Sequence, residues 1–582
     1  MDREKIKELF LKLETREDVA AILGISERSL RYFLYKKRPE NMYHTFKIPK
    51  KDGTTREISA PDKALKEIQR KLANVLSAVY EPKVCAYGFI DEKNNVGNAE
   101  QHTKKRLVFN IDLKDFFSQI HFGRVRGLLM NAPYSLPDEA ATTIAQIACF
   151  NGRLPQGAPS SPVITNMICI PLDNALMRLA KSTGCVYTRY ADDITFSTYK
   201  HAFDQSLVYV DNEEVVIGDK LAAVLEKHSF AVNPQKITLR SRVCRQEVTG
   251  LTVNEFPNLR RSYIKQLRAI MHSCEKFGVL AAAKVYVKKG LCKNPNICGI
   301  VDDPGSEDTV IEWFKMVLVG KVHYIKQVKG SRSLTYLAFA QKVNVLFGKD
   351  IFDLTELHRF ESTIKNSTFV LQYSEGENFV QGSSFYLPGI GLVTNYHVTE
   401  CGEFFSIFNV DTYDEKSLGI VGKTLNEISS DNAIDYAVYK LPFTINEELT
   451  FKCGDSRKSK VGDQVTIIGY PNHQKGNSPY IHPCSITSEK YFQGAPFFTV
   501  SGRVVHGASG GIVLNSDHEA IGIYRTGSAD SHAYQVCCGD VLFLHFVFDG
   551  CCDIRQNFLS TVILDRRDLP LVQHLSFVIE QS

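Results

Sequence analysis

A chain of 582 residues is too long for one ordinary hydrophobic core and predicts two to four domains. Its 44% hydrophobic and 23% charged residues are those of a soluble globular protein, and no apolar run reaches the roughly 18–20 residues that span a bilayer. The net charge of +4 is uneven: residues 351–582 hold 16 Lys and Arg against 27 Asp and Glu, a net −11, which leaves +15 on residues 1–350. A basic front half points to a polyanionic partner and an acidic back half does not, so two functions on one chain are expected.

The start, Met1-Asp2-Arg3-Glu4-Lys5, has no apolar segment like that of a signal peptide, and a cytoplasmic protein without membrane contact is expected. The 15 cysteines are odd in number and include no Cys-x-x-Cys pair. The vicinal Cys537-Cys538 and Cys551-Cys552 suit neither an ordinary disulfide nor a tetrahedral zinc site, so free thiols are expected.

In chain order, residues 1–45 read as helical, with Ile6, Leu9, Leu13, Val19, Leu23 and Leu30 at helical spacing and a fresh start at Ser26. Residues 46–58 form two strands around a turn at Asp52-Gly53, a hairpin carrying Lys50, Lys51 and Arg56. An amphipathic helix follows over 61–79. Residues 109–117 read as an apolar strand whose alternation puts Asn110, Asp112 and Lys114 on one face. Helical sequence runs over 122–150. Residues 154–162 are a Gly- and Pro-rich turn holding Gln156, and a helix opens after it. Residues 186–197 predict a tight hairpin with Tyr190-Ala191-Asp192-Asp193 at its tip. Residues 218–227 read as a helix, 248–254 as a strand bearing Gly250, and 259–277 as a basic helix with Arg260, Arg261, Lys265 and Arg268. Helix resumes over 310–347. From about 350–365 onward, short β-rich runs broken by Gly, Asn, Asp and Pro predict an all-β domain.

Two adjacent carboxylates in an apolar run are costly unless a cation neutralises them. If the strand of Asp112 neighbours the Asp192-Asp193 hairpin, three carboxylates converge, a donor set suited to two Mg²⁺ ions. Such a pair stabilises both the attacking and the leaving oxygen of an in-line displacement at phosphorus.

These stretches resemble the reverse-transcriptase family, in that family's order. The resemblance implies an α+β right hand of fingers, palm and thumb. It implies that Asp112, Asp192 and Asp193 are catalytic and bind two Mg²⁺, and that Lys50, Lys51 and Arg56 hold the dNTP triphosphate. It places Gln156 at the nucleotide pocket and Phe117 where a bulky side chain excludes a ribose 2′-OH.

Asn98-Ala99-Glu100-Gln101-His102 and Val248-Thr249-Gly250 resemble the two signatures of retron reverse transcriptases, and residues 318–328 are also similar to that family. The resemblance implies a cognate structured non-coding RNA, with Asn98, His102, Val248, Thr249 and Gly250 as RNA-binding residues. DNA would be extended from the 2′-OH of an internal guanosine into a branched RNA–DNA product, with a host ribonuclease H as partner. The basic helix, through Arg260, Arg261, Lys265 and Arg268, would track the duplex backbone. The expected division is an N-terminal helical segment over 1–45, fingers and palm over 46–250 and thumb over 251–350.

The back half holds Gly382-Ser383-Ser384-Phe385, His397 in Leu392-Val393-Thr394-Asn395-Tyr396-His397-Val398, Asp435 in Ile434-Asp435-Tyr436, and Ser509 in Gly507-Ala508-Ser509-Gly510-Gly511. These residues resemble the chymotrypsin-like, or trypsin-like, serine proteases, whose order is His, Asp, Ser. The resemblance implies a double β-barrel over 351–550, with Ser509 as nucleophile, His397 as base, Asp435 as its orienter and an oxyanion hole from the Gly507 and Ser509 amides. Ala508 stands where the family often has Asp, so activation by a newly cleaved N-terminus is not expected. Arg503 falls near the S1 pocket by the same resemblance. Residues 551–582 are left as an unassigned tail.

The expected function is a multidomain retron reverse transcriptase fused to a protease effector in anti-phage defence, acting on an unknown protein substrate. The alternatives are an abortive-infection or intron-type reverse transcriptase, and an inert protease-like binding module.

Overall fold

The computed structural model describes residues 2–49, 55–375, 378–400, 405–409, 420–423, 425–441, 443–474, 477–492, 495–501, 507–525 and 539–543. It divides into two compact units, Met1–Ile270 and Met271–Ser582.

In the first unit, short N-terminal helices precede an antiparallel hairpin. Ser26 caps the helix Glu27–Arg31 by accepting a hydrogen bond from the Ser29 amide. The strands Tyr43–Pro49 and Thr55–Pro61 pair with Ile48 opposite Arg56. Lys50 and Lys51 lie outside the described residues. Asp62 then caps the helix Lys63–Val79, whose Leu65, Ile68, Leu72, Val75, Leu76 and Val79 recur at three- and four-residue spacing and are all buried.

Behind these lies a four-stranded antiparallel sheet in the order Val186–Tyr190, Asp193–Thr198, Leu107–Asp112, Thr238–Ser241. It packs on the helix Ser161–Thr183 through one continuous core. That helix is long and apolar enough to cross a bilayer by length and composition alone, although Asn166, Asp173 and Arg178 interrupt its apolar run. Most of it is instead buried, including Asp173, which no lipid-facing helix would leave with its partner on a neighbouring strand.

Three expectations change. The helix predicted over 122–150 is two, Phe122–Met130 and Asp138–Ala148, parted by a segment with Pro133 and Pro137. The helix predicted over 310–347 is likewise two, Glu307–Lys329 and Leu334–Phe347, the first ending at Gly330. The strand expected over 248–254 is a tight hairpin, Glu247–Val248 against Leu251–Thr252, because Thr249 and Gly250 both take positive φ, 46° and 82°.

In the second unit, helices lead into the β-rich part through the helix Thr355–Ser367, which the sequence pattern did not predict. Its Phe360 and Ile364 sit in a core with Phe385, Val393, Phe497 and Ile523, and Leu334 packs on the same core. The Phe360 ring also stacks on His518 with centroids 4.1 Å apart. Burying a side chain such as Ile364 stabilises by about 1.5–3 kcal/mol.

Seven strands form one antiparallel sheet, in which Gly391–Thr394 pairs with Tyr436–Lys440. Six more close into an antiparallel barrel that includes Ile512–Leu514 and Ala520–Arg525. The cysteines among the described residues are free thiols, and the two vicinal pairs and the 551–582 tail lie outside those residues.

Candidate active sites

The aspartate turn is built from behind. Arg189, fully buried, donates from Nε and Nη2 to the two carboxylate oxygens of Asp173, each at 2.8 Å. The Tyr187 hydroxyl adds a third donor to Asp173 at 2.8 Å. From Nη1, Arg189 also reaches Asn166 Oδ1 and the Ala191 carbonyl, each at 3.1 Å. One guanidinium therefore pins the tip of the hairpin to the core helix.

Register then does the gathering. Asp193 is paired with Tyr190 on one side and with Asp112 on the other, and the Asp192 carbonyl accepts from the Leu113 amide at 3.0 Å. Asp193 is exposed at its surface, yet protein atoms crowd its carboxyl group. Loss of hydration, then the charges of Asp192 and Asp112, push its carboxyl up from 3.8 to about 7. The same causes raise Asp192, where burial leads and Asp112 follows.

Two cations oppose this repulsion. Lys236 Nζ lies 2.7 Å from Asp112 Oδ2, and against its own burial the carboxylates raise its affinity for a proton. Arg56, on the hairpin strand, lowers Asp192 by its charge. Among the described residues, no three His, Cys, Asp or Glu side chains stand as a ready-made metal cage. The donor set nonetheless fits a hard divalent cation: three neighbouring carboxylates, of which Asp192 and Asp193 are held toward the protonated form by burial and by neighbouring charge.

Around this cluster, Phe117 lies in the turn after Leu107–Asp112, against Phe116 and Phe89 at 5.5 and 6.3 Å between centroids. The Gln156 carbonyl accepts from the Ser59 amide at 2.9 Å, which ties its loop to the hairpin strand that carries Arg56.

Of the residues expected to bind RNA, Asn98, His102 and Val248 are buried. His102 bridges Ser197 Oγ and Thr188 Oγ1, each at 2.7 Å, and burial pushes its imidazole down to about 3. Asn98 Oδ1 is buried with no hydrogen-bond partner among the described residues. The two signatures meet each other instead: Thr249 Oγ1 donates to the Asn95 carbonyl at 3.2 Å, beside the helix Asn95–Glu100 that holds Asn98. Gly250, Arg260, Arg261, Lys265 and Arg268 are exposed, and Arg260 pairs with Glu247.

In the second unit, pairing of Gly391–Thr394 with Tyr436–Lys440 brings His397 and Asp435 together, one just beyond the end of the first strand and the other just before the second. His397 Nδ1 lies 2.9 and 2.8 Å from the two Asp435 carboxylate oxygens, and the His397 amide donates to Oδ1 at 3.0 Å.

Ser509 sits in a turn that the rest of the domain clamps. Ser383 donates from its amide to the Ser509 carbonyl and from its hydroxyl to the Gly507 carbonyl, both at 2.8 Å. The Ala508 carbonyl accepts from the Gly511 amide at 3.0 Å, so the Ser509 N–H of the same trans peptide points in the opposite direction. Gly510 takes φ 81°, and a Cβ there would meet the Ser383 carbonyl oxygen at 2.0 Å.

Asn395, almost fully buried, joins the two halves. Its Nδ2 donates to the Asp435 carbonyl at 2.8 Å and its Oδ1 accepts from the Gly510 amide at 2.6 Å. Sequence reasoning missed the roles of Asn395, Ser383, Arg189 and Lys236. Asn395 and Ser383 stood inside the quoted stretches, and a polar residue in an apolar strand is the signal that marks them. Lys236 carries no local signal. Arg503 lies outside the described residues.

Residues 48–254 match the reverse transcriptase (RNA-dependent DNA polymerase) family, and residues 382–523 match the trypsin-like peptidase domain. The retron Mx65 reverse transcriptase of Myxococcus xanthus is 34% identical over 44% of this chain and 62% of its own length. The retron Ec86 reverse transcriptase of Escherichia coli is 30% identical over 44% of this chain and 76% of its own length. This chain thus spans about three-fifths of the Myxococcus relative and three-quarters of the Escherichia one. The Rv3671c protease of M. tuberculosis in its active form is 17% identical over 34% of this chain and 83% of that one, with a TM-score of 0.27. On the identity and coverage shared with the Escherichia relative, the chain belongs to the retron reverse transcriptases.

Proposed function

We propose that this chain is a retron RNA-directed DNA polymerase that makes branched, RNA-linked single-stranded DNA from a cognate structured RNA, with its peptidase domain as the effector. The observation that carries the polymerase reading is the meeting of Asp112, Asp192 and Asp193 at one strand register beside Lys236. In this reading the hairpin of Arg56 is the fingers, the four-stranded sheet the palm, and helices within 251–350 the thumb. The seven-stranded sheet and the closed barrel, over 351–550, correspond to the two barrels of a chymotrypsin-like protease.

Asp112, Asp192 and Asp193 would hold two Mg²⁺, which when bound supply charge stabilisation to the attacking and leaving oxygens at phosphorus. Arg56 neutralises triphosphate charge, Gln156 and Phe117 shape the nucleotide pocket, and Arg189 keeps the Asp192 turn from drifting. In the second unit, Ser509 Oγ attacks the scissile carbonyl carbon and its proton passes to His397 Nε2. His397 returns that proton to the leaving amine. Asp435 orients the imidazole and stabilises its cationic form, and the Gly507 and Ser509 amides receive the oxyanion.

The partners are dNTPs, the RNA and its product, a host ribonuclease H and an unidentified protein substrate. The setting is the cytoplasm, away from membranes, in defence against phage. Labelled-dNTP incorporation on the copurified RNA is expected to vanish in Asp192→Ala. Undiminished synthesis would refute the metal-site assignment, and copurified RNA lacking any 2′-branched DNA would refute the retron product.

A further inference from the structure

The Asp435 carboxylate serves two cations. Its Oδ2 lies 2.8 Å from His397 Nδ1 and 3.1 Å from Arg525 Nε. Asp435 itself is 5% exposed, whereas Arg525 and His397 keep 35% and 44% of their side chains in contact with water. Arg525 closes the barrel strand Ala520–Arg525, so it reaches Asp435 from the Ser509 side of the peptidase domain. A guanidinium is permanently charged and binds a carboxylate with directional donors. The described charged groups at this junction are Asp435, His397 and Arg525, and Asp540 is the register partner of Arg525 in the strand Gly539–Phe543.

We propose that Arg525 is a positioning residue that shares Asp435 with His397 and thereby restrains the triad. The proposal rests on the peptidase reading of Ser509, His397 and Asp435. When His397 takes the proton of Ser509, the new imidazolium needs the full negative charge of Asp435. With Arg525 on the same carboxylate oxygen, part of that charge is already compensated, and a second cation must form a few Å from the first. Coulomb repulsion at that separation opposes protonation of the imidazole. Arg525 thus holds the carboxylate in place and at the same time makes His397 a weaker base than the His397–Asp435 pair alone would be.

The test uses the full chain with a fluorophosphonate probe, following labelling of Ser509 against pH in the parent, Arg525→Ala and Arg525→Lys. Arg525→Ala is expected to move the acid limb of the labelling rate up by about one pH unit, a roughly tenfold change in His397 basicity, with faster labelling on the plateau; Arg525→Lys stays with the parent. A merely structural Arg525 would lower labelling at every pH without moving the limb, and that result overturns the proposal. A second measurement needs no activity: the His397 ¹³Cε1 NMR titration, assigned with His397→Gln, should show the same upward displacement in Arg525→Ala. An unmoved midpoint overturns the proposal. Absence of Ser509-dependent labelling in all three proteins tells against the peptidase reading alone, and the titration then still decides on Arg525.

Discussion

The aspartate cluster and the Ser509 triad solve opposite electrostatic problems. Asp112, Asp192 and Asp193 are crowded like charges whose protein cations, Lys236 and Arg56, do not offset the repulsion, and Asp193 is driven up to about 7. The His397–Asp435 pair is compensated within the protein: Asp435 receives the His397 ring, the His397 amide and Arg525, while Asn395 ties its backbone to the Ser509 turn. The carboxylate cluster is left in mutual repulsion, whereas the Asp435 carboxylate is held by hydrogen bonds from His397 and by the Arg525 guanidinium.

The largest way to break this contrast is at the support of the cluster. Asp173→Ala leaves the Arg189 guanidinium buried and unpaired, and is expected to cost about 3–5 kcal/mol in denaturant unfolding of the first unit and to abolish dNTP incorporation. Peptidase labelling in such a preparation distinguishes damage to one unit from loss of the chain.

Next is the brace of the triad. Asn395→Ala removes both links between Asp435 and Gly510, and a shift of the Ser509 turn by about 1 Å should slow fluorophosphonate labelling about a hundredfold. Labelling at the parental rate would show that strand pairing alone aligns the triad.

The cluster's tension predicts a pH-dependent response to metal. Asp193 binds its proton more tightly folded than unfolded, so its contribution favours the folded state at low pH and is lost as pH rises from 3.8 through about 7. Mg²⁺ should therefore raise the melting temperature more at pH 8 than at pH 5, and Asp193→Asn should shrink that difference. An equal gain at both pH values would remove the link between ionisation and metal binding.

The smallest expected effect lies at His102. Its folded proton affinity is depressed, so its stability contribution is full above 6.5 and falls as pH drops toward about 3. His102→Gln, which keeps one donor and one acceptor, should flatten the acid side of the stability profile below pH 6.5.

Much of both sites is legible in the chain because their chemistry is local. Tyr190-Ala191-Asp192-Asp193 and Gly507-Ala508-Ser509-Gly510-Gly511 each set a turn and its reactive group in a few consecutive residues. The helix Lys63–Val79 and the basic run at 261–277 are legible for a related reason, since periodicity is written along the segment that folds. That Asn98 and His102 are buried was not legible, because a signature marks what is needed without saying whether it faces solvent or core.

The sequence by itself determined the two family resemblances, the order of the residues that carry them, and the change from a basic front half to an acidic β-rich half. Only the tertiary structure decided which groups meet at long range: Lys236 with Asp112, Arg189 with Asp173, Asn395 with both Asp435 and Gly510, and Arg525 with Asp435. The physical reason is that charge compensation and buried hydrogen bonding depend on distances of about 3 Å between side chains far apart in the chain, which neither periodicity nor local motif encodes.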